Sequence, residues 1–77
     1  MTLPSRRVGD RGQRFEVHCV GYPEFTDNII GWCHAREDAQ ELSTSILKAP
    51  NASIVYTLDR EKRVIVDRKM KDIEENI

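Results

Sequence analysis

A single helical signature stands between two pairs of alternating segments, and this arrangement limits the fold more than any other feature. Ala35, Ala39, Leu42 and Ile46 recur at spacings of four, three and four, which lines them along one helical face. Arg36, Asp38, Gln40, Glu41 and Ser45 mostly point elsewhere. Glu37 and Asp38 fall in the first turn, where the positive end of the helix dipole favours carboxylates. Lys48 closes the last turn, and Pro50 cannot continue it. The pattern predicts a helix over 36–48.

The flanks read as strands. Phe15, Val17 and Cys19 alternate with Glu16 and His18, a period of two with one buried face. Gly21-Tyr22-Pro23 ends that run, 24–28 reads as loop, and Ile29 to His34 forms a second strand interrupted at Gly31. Ser53 to Leu58 resumes alternation with Ile54, Tyr56 and Leu58 on one face. Asp59-Arg60-Glu61-Lys62 is a charged turn, and Val64 and Val66 continue the apolar face on the return. The expected fold class is α+β, ordered β-β-α-β-β, with one helix packed on a three- or four-stranded, mainly antiparallel sheet. Its expected core is Phe15, Val17, Cys19, Ile30, Trp32, Ala39, Leu42, Ile46, Ile54, Tyr56, Leu58, Val64 and Val66. The opposite face would hold Glu16, His18, Ser53, Thr57 and Arg63.

Around the 14–68 domain, residues 1–13 hold Pro4, Gly9 and Gly12 and read as a flexible basic arm. Residues 69–77 read as a frayed, charged tail in which Met70 and Ile73 allow one helical turn. The chain of 77 residues is enough for one small domain. It contains no apolar stretch near the ~20 residues of a membrane span. Met1 to Arg7 lack the apolar run of a secretory signal, and two cysteines are too few for a disulfide scaffold, so a cytoplasmic location is expected.

Charge separates the remaining classes. The net charge of −1 fits neither a dedicated nucleic-acid binder nor an acidic DNA mimic. Locally the balance is uneven. Residues 1–14 carry Arg6, Arg7, Arg11 and Arg14 against Asp10 alone, a charge of +3, and residues 15–34 carry −3 from Glu16, Glu24 and Asp27. Gly9-Asp10-Arg11-Gly12 spells a GxxG, but lacks the flanking helices that a nucleic-acid clamp needs.

His18-Cys19 and Cys33-His34 form a tempting set. A hairpin would set Cys19 against Cys33 and His18 against His34, and a disulfide would be geometrically allowed. Strand neighbours point to opposite faces, however, so the pairs do not converge on one zinc ion, and two buried thiols are the expected state. The same divergence leaves Cys19 without a base in His18. No catalytic constellation, metal site or cofactor is expected.

Protein binding has the strongest physical case. An open sheet has two edges with unpaired backbone groups that accept a partner strand. The core cannot absorb all of Tyr22, Phe25, Ile29, Ile30 and Trp32, so Tyr22 or Phe25 is left either on the surface as a contact or folded as a lid over the sheet end. The last hairpin adds Arg60, Lys62 and Arg63. The succession Phe15-Glu16-Val17-His18-Cys19, Ala35-Arg36-Glu37-Asp38-Ala39-Gln40-Glu41-Leu42 and Ile54-Val55-Tyr56-Thr57-Leu58 resembles the plan of small bacteriophage proteins that disable host machinery. Inhibitors of host RNA polymerase and anti-CRISPR proteins are among them. The resemblance is one of layout over about residues 14–68 and transfers no functional residue. It implies a non-enzymatic inhibitor or regulator that occludes a host or cellular protein complex. Strands 53–58 and 63–68 hold no proline to blunt an edge, so a monomer or an edge-strand homodimer is expected. The alternative is a nucleic-acid-associated factor using Arg6, Arg7, Arg11 and Arg14.

Overall fold

The computed structural model describes residues 7–21 and 26–71. Its elements run β1 (Phe15–Gly21), β2 (Asp27–Cys33), α1 (Arg36–Leu47), β3 (Ala52–Asp59) and β4 (Val64–Met70). Every pairing is antiparallel and the sheet order is β2-β1-β3-β4, which places β1 and β3 centrally. The α+β layout matches the expected one, with α1 packed across one face of four strands. β4 carries on to Met70, so Lys69 and Met70 are strand rather than tail.

α1 starts at Ala35, whose side chain offers no cap, so Glu37 and Asp38 alone complement its first turn. Its buried stripe is Ala39, Ser43 and Ile46, with Leu42 and Leu47 partly covered. Ser43 is buried without an orphaned hydroxyl because Oγ donates to the Gln40 carbonyl at 2.9 Å. Beneath the helix lie Phe15, Val17 and Cys19 of β1, Ile30 and Cys33 of β2, and Val55 of β3. Fully burying a side chain the size of Val or Phe contributes about 1.5–3 kcal/mol, so this small layer is the main source of stability.

β3 is turned over relative to the sequence expectation. Val55, Thr57 and Asp59 face the helix, while Ile54, Tyr56 and Leu58 stay half-exposed on the other side. The helix explains the inversion. Ala39 and Ser43 bring its backbone close to the sheet, and medium side chains fit that gap where Tyr56 or Leu58 would not. Thr57, expected to meet water, is fully buried, and its Oγ1 has no hydrogen-bond partner among the described residues. Val64, expected in the core, is 48% exposed, and Val66 and Leu42 pack only at its margin.

The facing of Cys19 with Cys33 and of His18 with His34 does not form. Register places Cys33 opposite Phe15 and Cys19 opposite Asn28, with a bulge after Val17 that adds Ile30 to β2. Both thiols are free and buried, and burial raises the pKa of each. His34 is exposed beyond the end of β2. Trp32 is buried as expected, but by register it shares the face of Glu16, away from the helix.

Residues 7–13 are tied to the sheet. Val8 bridges Gly31 in parallel, its N–H donating to the Ile30 carbonyl (3.0 Å) and its carbonyl accepting from Trp32 N–H (2.8 Å). Gly9 and Gly12 take φ of +80° and +93°, and a Cβ at Gly9 would collide with the Trp32 carbonyl. The GxxG is therefore a turn pressed onto β2.

Candidate functional site

Antiparallel partners share a face, so the pairings define what the sheet shows opposite α1. Three rows cross it. Trp32, Glu16, Leu58 and Ile65 form the first, Ile29, His18, Tyr56 and Arg68 the second, and Asp27, Val20, Ile54 and Met70 the third. No described helix or strand packs over these rows; Trp32, Glu16 and His18 are sheltered at the β1–β2 side, and the β3–β4 side is the open one. Ile65 and Met70 are 56% and 63% exposed, and Leu58, Ile54 and Val20 are half-buried. β3 thus turns its bulkier apolar side chains toward the uncovered face.

A polar network crosses the same surface. Trp32 Nε1 donates to Glu16 Oε2 (2.9 Å), Glu16 Oε1 lies 2.7 Å from His18 Nε2, and Asp27 Oδ1 lies 3.2 Å from His18 Nδ1. Tyr56 Oη donates to Asp27 Oδ2, and its ring stacks on His18 with centroids 4.7 Å apart. Burial opposes the Glu16 charge, but hydrogen bonds from His18 and Trp32 outweigh it and hold the carboxyl below its usual range. Burial, reinforced by the bond to Asp27, pushes the Tyr56 phenol up to about 12. The network fixes the rotamers of a surface that would otherwise be loose and apolar. Among the described residues no group of three or more His, Cys, Asp or Glu could hold a metal ion.

The β3–β4 corner is organised by Asp59. Its Oδ1 accepts from Glu61 N–H (3.0 Å) and Lys62 N–H (3.2 Å), and its carbonyl accepts from Arg63 N–H. Arg14 reaches it with Nε and Nη2, and those bonds, opposed by burial, bring the carboxyl down to about 2. Arg14 Nη1 also meets Glu61 at 3.2 Å, and Arg60 Nη1 donates to the Gly12 carbonyl at 2.7 Å. The hairpin and the 12–14 segment thereby enclose an open-sided depression of about 570 Å³ lined by Gly12, Arg14, Leu58, Arg60, Glu61 and Arg63. Arg63 has φ of +59°, a left-handed conformation that Gly or Asn ordinarily takes.

The two sheet edges differ. That of β2 is occupied by Val8 and by Arg7, whose Nε donates to the Ile29 carbonyl (3.1 Å). No described strand pairs with the outer edge of β4; α1 contributes one contact there, Arg36 Nη2 to the Val66 carbonyl at 2.8 Å.

Of the sequence-predicted site residues, Arg60 and Arg63 converge on the depression and Lys62 is exposed at the turn. Tyr22, Phe25 and Arg6 lie outside the described residues. Arg7 and Arg14 are engaged in holding the fold, and Arg11 is exposed. Sequence reasoning missed Tyr56, Leu58 and Ile54 as surface groups and Asp59 as a buried organiser. No local signal could have found them: Asp59 shares its parity with Val55 and Thr57, and a carboxylate ordinarily marks the exposed phase, so it pointed the other way.

No family model, no curated protein and no solved structure matches this chain.

Proposed function

We propose that this chain is a small, non-enzymatic protein-binding module that takes an extended segment of its partner along the β4 edge and covers that partner with the open sheet face. Among known kinds of protein it fits the inhibitor or regulator by which a phage or mobile element occludes a surface of a host complex. The observation that carries the reading is an apolar face that no described helix or strand covers, beside an edge that no described strand pairs. Leu58, Ile65, Ile54 and Met70 lie on or beside β4, whereas Val8 bridges the β2 edge at Gly31. A seven-residue strand without proline is a ready acceptor for main-chain hydrogen bonds, and alternate side chains supply selectivity.

Capture from a host lysate with the tagged chain, compared with Ile65→Glu and Met70→Glu, tests this. Both positions are exposed, so the variants keep the thermal transition while losing the captured protein. Equal capture by wild type and both variants would reject the face. A self-associating wild type that the variants render monomeric would make a second copy the occupant.

A further inference from the structure

We infer that the arginine-lined depression at the hairpin corner seats the carboxylate of an acidic side chain, so that the partner segment carries Asp or Glu at the end that reaches this corner. The inference rests on the strand-addition reading above and adds the chemistry of the partner. Three guanidinium groups, from Arg14, Arg60 and Arg63, line the depression against one carboxylate, Glu61. Asp59 and Glu61 both pair with Arg14, so the positive excess at the depression is that of Arg60 and Arg63. Arg63 has no ion-pair partner among the described residues, which leaves its guanidinium available.

Backbone geometry supplies a second, independent argument. Arg63 holds φ of +59° at a turn position where glycine would relieve strain. An arginine there lowers the stability of the fold, and its side chain makes no hydrogen bond or ion pair among the described residues in return. A ligand outside the chain supplies one. Position supplies the third argument. β4 begins at Val64, directly after Arg63, and Leu58, paired with Ile65, lines both the depression and the open face. A segment running along β4 therefore passes Arg63 at the end of the strand, and a side chain turned from it across the open face at Leu58 and Ile65 reaches inward to the depression. The apolar flank from Leu58 suits a carboxylate on a peptide better than a string of phosphates.

The test selects binders of the intact chain from a random displayed peptide library, then measures the selected peptides on wild type, Arg60→Gln and Arg63→Gly. The expected peptides alternate apolar and polar residues and place Asp or Glu at one end. Their amides shift the NMR resonances of β4 and of Arg60 and Arg63. Losing a charged hydrogen bond weakens binding about tenfold to a hundredfold in either variant. Arg63→Gly also melts a few degrees higher, roughly the rise expected when αL strain in so small a domain is relieved. Selected peptides without acidic residues, or undiminished affinity in both variants, would overturn the seat while leaving strand addition standing. Acidic peptides that move the corner but neither β4 nor an alternating pattern would sink strand addition and keep the seat. Displacement of the peptides by a single-stranded oligonucleotide, dependent on Arg60 and Arg63, would reassign the site to phosphate and overturn the proposal.

Discussion

Arg14 and Asp59, 45 residues apart, join the start of β1 to the β3–β4 corner through parallel hydrogen bonds of 3.0 and 2.9 Å. The carboxylate they hold sits near pKa 2, against an ordinary value of 3.8. A folded value below the unfolded one adds stability that is complete above about pH 4 and drains away as pH falls toward 2. Urea midpoints measured through the acid range should fall over that window. Asp59→Asn should lower stability at neutral pH and flatten this acid limb. A limb of unchanged steepness in the variant would assign acid sensitivity to other carboxylates.

Thr57 offers the opposite case. Its hydroxyl is fully buried with no hydrogen-bond partner among the described residues, so no bond there offsets the cost of desolvating it. Thr57→Val keeps the shape and removes that oxygen. Stability should rise by about 1 kcal/mol, or roughly 4–8 °C in Tm for a domain of this size. A loss on calorimetry would mean that the hydroxyl finds a partner in solution.

Gly31 is one of two points, with Gly9, where the N-terminal segment presses on β2. A Cβ there would stand 2.5 Å from the Val8 carbonyl oxygen and 2.9 Å from the Val8 Cβ. Gly31→Ala should expel Val8 and break its two backbone bonds, destabilising by about 1–3 kcal/mol. Hydrogen exchange at the Trp32 amide should speed up sharply. Unchanged protection at Trp32 would show that the Val8 bridge does not persist in solution.

Tyr56 should titrate late. Its phenol stands at about 12 rather than 10, so the neutral form stabilises the fold below about pH 10 and that contribution fades as pH climbs toward 12. Tyrosinate absorbance in a Tyr22→Phe background isolates the group. Asp27→Asn should bring the transition partway back, since burial, the larger cause, remains. A midpoint near 10 in the unsubstituted Tyr56 would refute the buried, bonded phenol.

Local patterns predicted the elements well and their orientation less so. The helix, the first strand and its core side chains Phe15, Val17 and Cys19 follow from periodicity alone. β3 does not, because both of its parities are apolar enough to be buried. Ile54, Tyr56 and Leu58 make the larger set, yet the gap under Ala39 and Ser43 admits Val55 and Thr57. That gap is a tertiary quantity, unreadable in any window of the strand. The candidate site was half legible for the same reason. Arg60 and Arg63 are evident as a charged corner, whereas the Arg14–Asp59 pair spans almost the whole domain, and the half-exposed Tyr56 and Leu58 depend on the unexpected parity.

The strap that Val8 lays across β2 has a consequence for assembly. Layers with two adhesive flanks recruit neighbours endlessly, which is the route to fibrils. With one flank stitched at Gly31 to its own chain, growth through strand exchange is hindered on that side and favours a pair. The molecule can therefore keep one adhesive border for a foreign chain without becoming a template for copies of itself.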